Sequence, residues 1–280
     1  MLALFFAVVM AFRLGMEALT HKLPHEPPIQ FLAHAGGAAI VLATYTLLVR
    51  LGEDRHQTEL SIKAAPLGLL AGLAAGFLMF SGVMAIQIGF HFYDFAYHGP
   101  ASAWRSAGLA IESGVLEEVL VRGVLLRLAW RAFGPWLALL LSAVLFGAGH
   151  IGNPGATAFT TACIAIEAGV MLGSFYALTG RLWVSIGLHA GWNFTQGYLF
   201  GATVSGSKFG EAIARNTARA DLPHWLTGGA FGPEASLPAL TVCTVVGGAT
   251  LWVAWRAGRF SKHAQPNPSS FLSEQLLKDR

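Results

Sequence analysis

Three polar groupings interrupt otherwise apolar stretches of this 280-residue chain. They are Glu117, Glu118 and Arg122 within GVLEEVLVRG, then His150 four residues after Phe146, then His189 and Asn193. Amide hydrolysis needs a base to activate water, a group to hold that water and donors aimed at the developing oxyanion. A carboxylate, two imidazoles and an amide are a set of that kind. Each sits where the sequence reads as a membrane helix. An ionised group there costs about 2.5–3.5 kcal/mol and so tends to face a cavity or a partner. At about 100° per residue, Glu118 and Arg122 share a face and can pair, with Glu on the preferred N-terminal side. Glu117 lies about 140° from Arg122 and is then left for another task. The reverse assignment holds if Arg122 bends back. His189 and Asn193 are also i and i+4, two donors facing one cavity. No GxSxG is present, and no Ser or Cys has the context of a nucleophile.

The elements that must hold these groups are helices in a bilayer. The chain is 54% hydrophobic with 12% Asp, Glu, Lys and Arg, about half the charged fraction of a soluble domain, and its mean hydropathy is +0.56. Apolar runs of about 17–25 residues each suffice to cross a hydrocarbon core. We expect an all-α, polytopic membrane bundle of about eight transmembrane helices, at 1–20, 29–51, 64–90, 106–130, 135–151, 156–179, 182–201 and 237–256. The first lacks the basic start and the cleavage site of a signal peptide and is expected to be retained. The organisation expected is N-terminal transmembrane helices over 1–104, a core over 105–200 and a polar insert over 201–236. A last helix follows over 237–256, with a polar tail over 257–280. A short surface helix is expected near Glu211 to Arg219.

The net charge of +3 belongs to loops and tail, so nucleic-acid binding is not expected. Arg50, Arg55, Lys63, Arg127, Arg131, Arg181, Arg256, Arg259 and Lys262 fall on one side if both termini are cytoplasmic. That orientation sets His150 at the outer end of its helix. Cys163 and Cys243 lie far apart in apolar runs, with no CxxC or finger spacing.

Glu117-Glu118-x-x-x-Arg122, Phe146-x-x-x-His150 and His189-x-x-x-Asn193, in this order on separate helices, resemble the CPBP family of CAAX proteases and bacteriocin-processing (Abi) enzymes, which includes the type II CAAX prenyl endopeptidases. The run TGRLWVSIGLHAGWN is similar too, and the resemblance spans about 105–200. It implies an intramembrane endopeptidase of glutamate type. Glu117 would activate water, His150 would hold it, His189 and Asn193 would stabilise the oxyanion, and Glu118 and Arg122 would support the site. It implies a membrane-anchored protein or peptide as substrate, lipidated or not, cut at the cytoplasmic face if the substrate is of CAAX type. No cofactor is expected. The alternative is zinc held by Glu117, His150 and His189, a two-His, one-carboxylate set that lacks the HExxH signal. The Ala-, Gly- and Trp-rich composition reads as that of a bacterial plasma-membrane protein.

Outside the three motifs, Glu112 reads as an interfacial carboxylate or one lining the substrate entrance. Glu167, in CIAIEAGVMLG, is an accessory site candidate that could pair with an arginine of the EExxxR helix. Gly169 and Gly173 have the GxxxG spacing of close helix packing. Two other functions compete. A proton-coupled carrier would use Glu117, Glu167 and His150 as a relay, but it calls for an internal repeat that the sequence lacks. An inactive scaffold or immunity protein on the same fold would have lost a motif residue, and all are kept.

Overall fold

The computed structural model describes residues 26–260 without interruption, and before them 7–8, 11–12, 15–16, 18 and 22–24. Most of the expected first span and the tail from 261 lie outside the described residues.

The seven remaining expected spans are all helices. Helix α1 is Pro27–Glu53 and α2 is Ala65–Gly89. Helix α3 is α-helical over Trp104–Glu118, takes wider π turns over Val119–Leu126 and becomes α-helical again over Arg127–Phe133. Helix α4 is Pro135–Ala148. Helix α5 runs over Ala158–Thr179 with π turns at Ala165–Leu172. Helix α6 is Leu182–Phe194 followed by a π segment Thr195–Leu199, and α7 is Leu237–Arg256. Local chemistry sets several boundaries. Pro stands in the first turn of α1, α2, α4 and α7, where its missing N–H costs nothing. Thr157 and Thr160 form a reciprocal capping box that starts α5. Gly134, at φ 84°, breaks α3 from α4, a conformation glycine takes without penalty.

Four helices are long and apolar enough to cross a membrane: Pro27–Glu53, Ile62–Gly89, Ala158–Thr179 and Leu237–Arg256. Of the seven expected spans within the described residues, four meet the length and hydropathy of a membrane span. α4 is too short. α3 and α6 carry the charged and polar side chains singled out above, which dilute their hydropathy. The bundle keeps these two inside. α3 packs on α1 and α6, and α6 crosses α2 with backbones almost touching. A Cβ added to Gly72 would stand 2.3 Å from the Val184 carbonyl oxygen, and one on Gly76 2.3 Å from that of Leu188. Gly169 and Gly173 serve the same purpose against α4, where a Cβ on Gly169 would meet Ala143 at 2.6 Å.

The all-α expectation needs one correction. Tyr93–Tyr97 (β1) and Ala214–Ala218 (β2) form a two-stranded antiparallel sheet, with Tyr93 opposite Ala218 and Tyr97 opposite Ala214. The surface helix expected near Glu211 to Arg219 is therefore a strand. The sequence EAIARNTARA contains good helix formers. Pairing with β1 supplies the backbone hydrogen bonds that a short isolated helix would hold only marginally in water.

At the Arg-rich end, Arg127 grips Glu53 at 2.7 Å. Arg55 places two nitrogens on Glu59, at 2.8 and 3.0 Å. Tyr45 donates to Glu59 and to the Gly123 carbonyl. This network clamps the end of α1 to α3. Burial pushes the Glu59 carboxyl up, but the hydrogen bonds of Arg55 and Tyr45, with the Arg55 charge, hold it net below its ordinary value. A carboxyl depressed by folding contributes stability above its unfolded pKa of about 4.3, and that contribution is lost as pH falls through the folded value. Between pH 7 and pH 3 the melting temperature in detergent should therefore fall further for the wild type than for Glu59→Gln, by about 2–4 °C per kcal/mol lost. Equal falls would remove Glu59 from the clamp.

Candidate active site

α3, α4 and α6 deliver the sequence-predicted groups to one place. The side chains of the adjacent Glu117 and Glu118 part completely. Glu118 is fully buried, while Glu117 keeps 27% exposure. Glu118 Oε1 accepts from Arg122 Nη1 at 2.8 Å and from His189 Nδ1 at 3.0 Å. Arg122 is also fully buried. Its Nη2 donates to the carbonyls of Ala168 and Gly169 in the π turns of α5, and its guanidinium lies 5.0 Å from the centre of the Phe146 ring. One ion pair thus joins α3, α5 and α6 beneath the site.

Glu117 faces the two histidines. Its Oε2 is 3.9 Å from His150 Nε2 and 3.9 Å from His189 Nε2. Both rings are held from behind. His150 Nδ1 is 2.9 Å from the Phe146 carbonyl, an acceptor only, so Nδ1 carries the proton and the neutral ring turns a lone pair on Nε2 towards Glu117. His189 Nδ1 donates to Glu118. Its Nε2 is then a second N–H when the ring is an imidazolium and a lone pair when it is neutral. Asn193 donates one amide N–H to Ser113 Oγ at 3.0 Å, which leaves the other N–H for the cavity. π turns follow Glu118, surround Glu167 and follow Asn193, and such wide turns recur at functional sites.

His150, His189 and Asn193 line a cavity together with Glu167. Ser205 and Glu234 of the insert close it, so it lies at the end of the bundle opposite the arginine clamp. Glu234 accepts from the Ser205 N–H and from the Gln196 amide. Burial pushes its carboxyl up to about 7, against the lowering effect of those donors.

Glu167 does line the cavity, but it makes no pair with Arg122, which reaches backbone carbonyls beside it instead. Glu112 is not brought to the site, since its carboxylate bonds His34 of α1. Sequence reasoning missed Ser113, although it stands one helical turn before Glu117 and so on the same face. It also missed Ser205, Gln196 and Glu234, which no periodic pattern marks.

Glu117, His150 and His189 have the donor chemistry of a zinc site. Their 3.9 Å separations exceed the about 3.4 Å between donors on one tetrahedral zinc. Among the described residues no three His, Cys, Asp or Glu side chains close to metal-holding distance.

Residues 99–195, which carry all three motifs, match the family model of the Rce1-like type II CAAX prenyl endopeptidases. Over this segment the chain is similar to the CAAX proteases of the CPBP family. Comparison with curated proteins and with solved structures gave no match. The matched segment ends inside α6, so α1, α2, the insert and α7 lie outside it. The match supports protease chemistry, and together with the apolar helices it supports an integral membrane protein.

Proposed function

We propose that this protein is an intramembrane endopeptidase that hydrolyses a peptide bond of a membrane-anchored protein or peptide with water activated by Glu117. The spacing of Glu117 Oε2 from His150 Nε2 and His189 Nε2, 3.9 Å to each, carries this reading. That distance is too long for a direct hydrogen bond and suits one water about 2.8 Å from each atom. Glu117 takes a proton from this water as its oxygen attacks the scissile carbonyl. His150 accepts the water's other hydrogen at Nε2 and so orients the attacking lone pair. The carbonyl oxygen becomes an oxyanion, and the donors for it are the second Asn193 N–H and His189 Nε2–H, with His189 charged. Glu118 supports that imidazolium through Nδ1, and Arg122 holds Glu118 in place through their ion pair. The proton held by Glu117 then passes to the leaving amine, and the tetrahedral intermediate collapses.

The reading assigns no metal to the site, and chelation tests this directly. Purified protein in detergent should cleave a fluorogenic peptide library equally well before and after dialysis against a zinc chelator. Loss with chelator and return with added zinc would replace the glutamate mechanism with a metal-dependent one. A well-folded protein that cuts no peptide, lipidated or plain, would favour an inactive scaffold on the same fold. We also assign both termini to the cytoplasm from the basic clamp, which opens the cavity towards the opposite face. Labelling of single cysteines placed at Gly152 and at Arg181 reports on that assignment.

A further inference from the structure

The hydrolytic reading leaves one buried carboxyl without a task. Glu167 sits on the π turns of α5 and is 3% exposed. Its Oε1 is fully buried with no hydrogen-bond partner. No described cation pairs with it, although a buried acceptor without a donor is costly. Glu167 lines the active-site cavity, and so does Glu234, whose position the Ser205 N–H and the Gln196 amide fix. The two carboxyls thus border one small cavity. No Lys or Arg lines this cavity, and Met171, Leu172 and Leu188 form an apolar part of its wall. The cavity volume of about 40 Å³ has room for about three waters, and it borders His150, His189 and Asn193 directly.

Resting on the endopeptidase reading, we propose that this cavity is a specificity pocket for a substrate lysine side chain beside the scissile bond. Its ammonium lodges between Glu167 and Glu234, and its methylene stem lies against Met171, Leu172 and Leu188. An occupant that satisfies two carboxyls needs several N–H donors and a positive charge. One that matches the apolar wall needs a flexible aliphatic stem. Lysine meets both conditions. The larger planar guanidinium of arginine is a poorer fit to so small a space. The insert thereby gains a purpose, because Ser205 and Glu234 complete a pocket that the helices alone leave open.

The test compares two peptides that differ only in lysine against norleucine at the position before the scissile bond. Wild type should prefer lysine by at least about tenfold in kcat/KM, the scale of a desolvated charge pair. Glu167→Gln should bring that ratio close to one, and Glu167→Asp should keep part of it. The melting temperature of each variant shows that it is folded. Binding supplies a readout independent of cleavage. Fluorescence anisotropy should show tighter retention of the lysine peptide by Glu117→Gln, and no such preference in Glu117→Gln/Glu167→Gln. Equal cutting and equal retention of the two peptides would overturn the pocket while leaving the endopeptidase standing. Glu167-dependent retention of lysine without any cleavage would uphold the pocket and count against the endopeptidase. Absence of both would overturn both.

Discussion

Glu117→Gln should lower peptide cleavage by about 10²–10⁴-fold, the usual contribution of a positioned general base, and leave the fold almost unchanged. Glu117 makes no hydrogen bond closer than its two 3.9 Å histidine contacts, and it is the more exposed of the adjacent glutamates. Replacing it with the isosteric amide therefore strands no buried partner, and the stability change should stay within about 0.5 kcal/mol. His150→Ala and His189→Ala should each cost activity on a comparable scale. The double variant should be little worse than either single one, because the ring that orients the water and the ring that meets the oxyanion serve one transition state and act as a unit. Steady-state kinetics on a fluorogenic substrate, with thermal unfolding measured in parallel, reads both halves. A Glu117→Gln protein that keeps a tenth or more of the wild-type rate would remove Glu117 from the role of base. Losses that multiply in the double histidine variant would mean that the two rings act independently.

Arg122→Met should be the most destabilising of these substitutions. Arg122 and Glu118 are both fully buried and 2.8 Å apart, and deleting one member of such a pair leaves an uncompensated charge at about 3–5 kcal/mol. For a chain of this size that is a loss of about 10 °C or more in melting temperature. Glu118→Leu/Arg122→Met should recover most of the loss, since an apolar pair of similar volume carries no desolvation penalty. Activity should not recover with stability. Glu118 also holds His189 Nδ1 at 3.0 Å, and without that acceptor the imidazole loses both its orientation and the support for its charged form. A double variant that regains rate along with stability would show that Glu118 is needed only as the partner of Arg122. Stability losses that simply add would show that the two residues are not coupled.

Much of this site is legible in the sequence because helical spacing is a local property. The 100° step puts Glu118 beside Arg122 and His189 beside Asn193 whatever surrounds them, and both pairs lie on the expected helices. Apolar run length places the seven described helices within a few residues, since each run of apolar side chains ends where the chain leaves the bundle. The order of the three motifs carries the resemblance that the family model finds over residues 99–195. Tertiary packing decides the rest. Only the seating of α3 against α5 and α6 makes Glu118 the buried carboxylate and leaves Glu117 facing two histidines, because adjacent residues differ in local sequence by very little. Glu167 looked like a partner for an arginine. The crossing of α3 and α5 instead brings Arg122 to the carbonyls of Ala168 and Gly169 and turns the carboxyl into the cavity. The strand at Ala214–Ala218 could not be read from its helix-forming residues, because its partner lies far away at Tyr93–Tyr97. The cavity wall at Ser205 and Glu234 was hidden for the same reason. Side chains that meet through long-range packing leave no period in the chain.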